Sequence, residues 1–227
     1  MTTQLKEALA MVMDQVTILE ERQVNTIKSL NEWSMSDSAL QDIASRAGIP
    51  KRFIAANTEK YHEDSLFMHG PRGVGKTHYL CACIKQEIKL REYDHYVFSQ
   101  QNQYEAANHD TILFLPVPEL MLLFKRSYSA GASESESEVL DRLTSCNILG
   151  LDDLGAERVS DWSIQMLYLL IDRRYREMKK TYITSNLSLR EISEKLDDRI
   201  SSRLAEMCEV MKFQGEDRRI KKQERSA

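Results

Sequence analysis

Residues 70–77 read Gly-Pro-Arg-Gly-Val-Gly-Lys-Thr, and no other stretch restricts the possible folds of this chain as much. The octapeptide fits G-x-x-x-x-G-K-[ST], a pattern with a mechanism behind it. Gly70, Gly73 and Gly75 let backbone N–H groups turn inward around a polyphosphate without a Cβ in the way. Pro71, Arg72 and Val74 fill the positions between them. Lys76 supplies compensating charge, and Thr77 offers a hydroxyl to Mg²⁺. An apolar strand, Leu66–His69, runs in. A helix over Thr77–Arg91, with His78 in its first turn, runs out and aims its N-terminal dipole at the phosphates. The ligand expected from this context is ATP with Mg²⁺.

The rhythm beyond the loop extends the fold. Strands are expected at Thr111–Pro116, Asn147–Leu151, Thr181–Thr184 and Glu209–Phe213. Helices are expected at Val117–Lys125, Asp161–Lys179 and Leu189–Met207. Apolar strands alternating with helices indicate an α/β fold with a parallel five-stranded sheet covered on both faces. Gly150 interrupts the third strand and is expected to loosen it. Two stretches break the rhythm: polar Tyr93–Asp110, read as an insertion, and Ser129–Glu138, an acidic low-complexity loop.

Ahead of the sheet, Leu5, Leu9, Val12, Val16 and Leu19 make one stripe of a helix reaching Leu30, which suits either packing on its own domain or docking on a partner. Ser36 is placed to N-cap a second helix ending at Ala47, with Gly48 and Pro50 stopping it. The division that follows is a helical segment over 1–46 and a nucleotide-binding domain over 47–227.

Composition narrows the function classes. The 31 Lys and Arg against 35 Asp and Glu leave a net charge of −4, the wrong sign for bulk electrostatic grip on nucleic acid. No apolar run spans a membrane and no signal peptide opens the chain, so a cytoplasmic protein is expected. Four cysteines and five histidines lack metal-site spacing, which points to free thiols.

Two further elements belong with the phosphate loop. The apolar run Ile148–Leu151 ends in Asp152 and Asp153: the first suits Mg²⁺, the second a general base for water. Tyr182–Asn186 is a strand ending in polar residues, and parallel strands deliver their C-terminal ends to one crevice. Asn186 is therefore a candidate for the γ-phosphate or its attacking water.

The order GPRGVGKT, ILGLDD, TSN, DDRISSRL, GEDRRI, preceded by AGIPKRF at Ala47–Phe53, resembles the AAA+ ATPases of the DnaC/DnaI helicase-loader group and the related IstB-type transposition helpers. The resemblance covers about residues 47–222. It implies a P-loop AAA+ ATPase fold after a small N-terminal helical segment. Asn186 then matches the sensor 1 position. Arg203 matches the arginine finger that acts on a neighbouring subunit, with Arg199 as the alternative. Arg219 matches the sensor 2 arginine, with Arg218 beside it. The implied partners are a replicative DnaB-type hexameric helicase, single-stranded DNA, and further copies of the chain in a spiral or ring, with no membrane. Lys125, Arg126, Tyr128, Ser160 and Trp162 fall where loaders hold single-stranded DNA, and aromatic rings among cations suit that task. Phe124 and Trp162 equally suit core anchors. An IstB-like helper on duplex DNA is the alternative reading. Asp42–Lys51 also has the outline of a helix-turn-helix. A small-molecule P-loop kinase is disfavoured, since no acceptor motif or arginine-rich lid is present.

Overall fold

The structure, a computed structural model, describes residues 35–58, 60–100, 112–127, 134–156 and 160–219. The stripe over Leu5–Leu30, Tyr128 and residues 220–227 lie outside the described residues, as do the side chains of 93–100.

Five strands form one sheet: β1 (Ser65–His69), β2 (Ile112–Pro116), β3 (Ile148–Leu154), β4 (Lys180–Ser185) and β5 (Cys208–Lys212). The order is β2-β3-β4-β1-β5 and every pairing is parallel. Helix α1 (Asp37–Arg46) precedes the sheet. The others are α2 (Lys76–Gln100), α3 (Val117–Arg126), α4 (Glu136–Ser145), α5 (Asp161–Arg176), α6 (Leu189–Lys195) and α7 (Asp198–Met207).

Successive strand residues point to opposite faces, so both faces can be filled from one short apolar run. Leu66 and Met68 of β1, Ile148 of β3 and Tyr182 of β4 face a core shared with α1 and α2. Phe67, Leu149, Leu151 and Ile183 face a larger core built by α3 to α7. Gly150 does not loosen the strand, as the sequence suggested. A Cβ there would lie 2.5 Å from Ile84 Cδ1, so the missing side chain lets α2 lie close on β3.

Several boundaries differ from expectation for identifiable reasons. The helix expected over Leu189–Met207 is two helices: Asp197 takes the N-cap of α7 and accepts from the Arg199 N–H at 2.7 Å. The acidic stretch is helical from Glu136, because Ser135 and Glu138 form a capping box. The polar stretch after Arg91 continues α2 to Gln100. Ser36 caps α1 as expected, accepting from the Ala39 N–H at 3.3 Å. However, α1 buries Leu40 and Ala44 in the same cluster as Leu66, Leu80 and Ile84. The packing therefore shows no break at residue 46, and 37–46 shares a core with the sheet domain. After Gly48 comes only the 3₁₀ turn Lys51–Phe53, so the helix-turn-helix reading loses its second helix.

Candidate nucleotide-binding site

The carboxyl ends of β1, β3 and β4 meet at one cavity of about 320 Å³. That is within the usual range of roughly 300–1,000 Å³ for small-ligand sites. The phosphate loop forms its floor. Gly73 and Gly75 hold φ of 75° and 107°, a region where side chains are strained. Arg72, Gly73, Gly75, Lys76, Thr77 and His78 all face the cavity. Val74 is buried beneath the loop.

Lys76 is only 6% exposed. Its Nζ donates to Gly70 O at 2.8 Å, Pro71 O at 2.7 Å and Asn186 Oδ1 at 2.9 Å. All three partners are neutral. Burial, outweighing the fields of Asp153 and Asp152, holds its pKa below the ordinary lysine value. A buried ammonium whose neighbours carry no formal charge at hydrogen-bond distance fits an anionic ligand.

Asp152 and Asp153 are adjacent in sequence yet do different things, because β3 leaves its register between Leu151 and Leu154. Regular alternation would send the two side chains to opposite faces. Asp153 instead adopts φ 61° and lines the cavity, the re-aiming that strand irregularities achieve beside functional sites. Asp152 stays buried. Its Oδ1 accepts from Thr77 Oγ1 at 2.9 Å and from Thr184 Oγ1 at 2.6 Å. Burial raises its pKa, with Asp153 adding to the rise while both threonine hydroxyls oppose it. A hydroxyl and a carboxylate side by side are oxygen donors of the kind Mg²⁺ accepts.

Residues 213–219 form another wall. Phe213 N–H bonds His69 O at 2.7 Å, and Arg218 N–H bonds Gly73 O at 3.1 Å. Asp217 accepts from the Arg219 N–H at 2.8 Å, and its carboxylate occupies the space that a Cβ on Gly73 would need. This docking leaves Arg219 lining the cavity, while the Arg218 guanidinium lies against the loop, 3.5 Å from where a Cβ on Gly75 would be. Arg203 and Arg199 do not reach this cavity in their own chain. Arg203 Nε pairs with Asp172 at 3.0 Å, with its guanidinium 4.6 Å from the Tyr175 ring centre. Arg199 pairs with Asp197 at 2.8 Å.

Of the residues singled out for single-stranded DNA, Lys125 and Arg126 end α3 and are exposed. Ser160 is occupied as the N-cap of α5, accepting from the Ser163 N–H at 3.2 Å. Trp162 packs edge-on to buried Phe124, with ring centres 6.4 Å apart.

Sequence reading missed three contributors. Arg52 and Phe53 line the cavity from the turn after α1, and Phe53 meets His78 edge-on at 6.5 Å. Thr184 bridges the acids, donating to Asp152 and accepting from the Asp153 N–H at 2.9 Å. Thr184 stands two residues before Asn186, and a polar residue at a buried strand position was the available signal.

A family model described as "IstB-like ATP binding protein" matches residues 2–226. The chain belongs to this family. This IstB-like protein is 24% identical over 140 residues to the "Replicative helicase loader DnaC" of Escherichia coli (strain K12), covering 62% of this chain and 49% of that one. It is 25% identical over 151 residues to Bacillus subtilis (strain 168) YqaM, covering 64% and 41%. The chain thus spans about half the length of the curated relatives it matches. Its fold matches the crystal structure of the DnaC helicase loader at a TM-score of 0.53 and 24% identity, over 73% of this chain and 100% of that one. The fold is that of a P-loop AAA+ domain. Among the described residues no helix is long and apolar enough to cross a membrane.

Proposed function

We propose that this IstB-like protein is an ATPase that loads a replicative DnaB-type hexameric helicase onto single-stranded DNA in the cytoplasm. Lys76 carries the nucleotide part of this reading: a buried cation on neutral acceptors, facing a cavity that also receives Arg72 and Arg219. A triphosphate is the anion such a wall fits.

Thr77 and Asp152 would hold Mg²⁺, which when bound offsets phosphate charge. Asp153, directed into the cavity, accepts the proton of the attacking water. Asn186 orients that water or the γ-phosphate. Lys76 and Arg219 offset the charge that grows on the transferring phosphoryl oxygens. Phe53 and His78 offer ring surface for the base.

Arg203, with Arg199 as its competitor, serves a neighbouring subunit. Its position outside its own cavity supports that role and, with it, a spiral or ring of copies on the helicase. Within 1–46, the Leu5–Leu30 stripe is the proposed helicase contact. Lys125 and Arg126 lead the DNA contacts, with Tyr128 and Trp162 as the remaining candidates, the Ser160 hydroxyl being committed to its helix cap.

The test is co-purification of the chain with replicative helicases, with and without ATP, followed by mass measurement. The loader reading expects an ATP-dependent complex that Lys76→Ala abolishes. Failure to bind any cognate helicase, with function intact in Lys76→Ala, sinks it. The family model over 2–226 favours a second reading, an IstB-like transposition helper acting on duplex DNA. Stronger stimulation of ATP hydrolysis by duplex than by single-stranded DNA selects that one.

A further inference from the structure

Lys85 lies on α2, nine residues beyond Lys76, and does not touch the cavity. It is 7% exposed. Its Nζ donates to Ile54 O at 2.6 Å and Ala56 O at 2.8 Å. Burial holds its pKa below the ordinary lysine value. Ile84 and Ile88 on the same helix already fill the core beneath it, so packing does not explain a charged group here.

The two carbonyls that Lys85 holds directly follow the Lys51–Phe53 turn, whose Arg52 and Phe53 line the cavity. The turn's own hydrogen bonds are local: Phe53 N–H to Pro50 O at 2.8 Å and Ala56 N–H to Phe53 O at 2.9 Å. They shape the turn without attaching it to the body. Phe53 and Ile54 also pack on the core, but apolar contact is non-directional. The charge-assisted bonds from Lys85 are directional, and they tie the turn to the helix that begins with Lys76 and Thr77.

We infer that Lys85 is a positioning residue: it fixes the base-side wall of the nucleotide cavity against the phosphate-binding helix. It sets the affinity for the nucleoside part of the ligand and leaves the phosphate part alone. The inference rests on the reading of this cavity as an ATP site, so the wild-type chain is measured first. If wild type does not bind ATP, that reading fails on its own.

Given wild-type binding, the experiment compares ATP with inorganic tripolyphosphate, which has no base, each competing with a fluorescent ATP analogue. Lys85→Met is expected to weaken ATP about tenfold, the scale of one charge-assisted hydrogen bond, and to leave tripolyphosphate within about twofold. The ATPase shows the same loss in KM for ATP. Phe53→Ala gives the same pattern, and adding Lys85→Met to it produces little more, since both act through one wall. Lys85→Arg, which keeps charge and reach, restores part of the loss. Should Lys85→Met not fold, Lys85→Gln, which retains donors, is read by the same ratio of the two ligands. Equal weakening of both ligands, no weakening of either, or full additivity with Phe53→Ala overturns the inference.

Discussion

The sheet has a buried cation at each end. At the amino end, Arg174 is fully buried and donates to Leu143 O and Cys146 O at 2.8 Å, Lys180 O at 2.7 Å and Thr181 Oγ1 at 2.9 Å. At the carboxyl end, Lys76 donates to two carbonyls and an amide oxygen. Burial lowers the pKa of both. Saturation by neutral oxygens therefore does not separate a structural cation from a functional one. The surroundings do. Arg174 is walled in by the strand ends it ties together, whereas Lys76 opens on a cavity shared with Arg72 and Arg219. On the proposed reading the first set of acceptors is permanent, and the second is exchanged for a ligand.

The comparison breaks if the two cations respond alike to removal. Arg174→Met leaves the carbonyls of Leu143, Thr144, Cys146 and Lys180 without this donor and is expected to cost about 3–5 kcal/mol. Urea unfolding reads that loss, and ATP affinity per folded molecule stays as in wild type. Lys76→Met is expected to do the reverse. ATP affinity falls about a hundredfold or more, since a charge-assisted contact to phosphate is lost, while stability moves by less than about 1 kcal/mol. A large stability loss in Lys76→Met would make the two ends equivalent.

Asp152 sharpens the same contrast from the anionic side. Its folded-state pKa is raised, so the native chain holds that proton more tightly than the unfolded chain does. The resulting stabilisation is full at low pH and is lost as pH rises through the folded pKa. At neutral pH the ionised carboxylate is thus a burden on the ligand-free fold. Asp152→Asn is expected to raise Tm by about 2–4 °C without nucleotide, to lose ATP hydrolysis, and to lose its Tm advantage below about pH 4. A Tm below wild type at neutral pH, measured by calorimetry, would contradict this.

The phosphate floor and the parallel sheet were legible because their signals are local. The Gly-rich spacing, each apolar strand run and the Asp pair can each be read within a window of a few residues. The capping box at Ser135 and Glu138 was equally local, and only the low-complexity look of its surroundings hid it. Other features are not local. The direction of Asp153 depends on β3 losing register against β4. Arg52 and Phe53 lie on a turn whose following carbonyls, Ile54 O and Ala56 O, accept from Lys85, some thirty residues on. Which of Arg218 and Arg219 faces the cavity depends on Asp217 docking over Gly73, which pattern alone does not encode. The break at Leu196–Asp197 follows from a cap inside what reads as one helical stripe.

The smallest expected effect tests the rule drawn from the two cations on a neutral group. Ser160 stands where the loader resemblance sets a DNA contact, yet its hydroxyl is committed to Ser163, accepting from that residue's N–H. A side chain with its hydrogen bonds satisfied inside the fold is structural unless a cavity lets a ligand displace the partner. Neither Ser160 nor Ser163 lines the cavity on which Lys76 opens. Ser160→Ala is therefore expected to cost about 1 kcal/mol, the value of an N-cap, and to leave single-stranded DNA affinity unchanged. Lys125→Ala with Arg126→Ala should do the opposite, weakening DNA in a salt-dependent way with little change in stability. Fluorescence anisotropy with a labelled oligonucleotide, beside urea unfolding, separates the two. If Ser160→Ala lowers DNA affinity while stability holds, then satisfaction inside the fold is no guide to function here, and the reading of Arg174 as purely structural would have to be reopened with it.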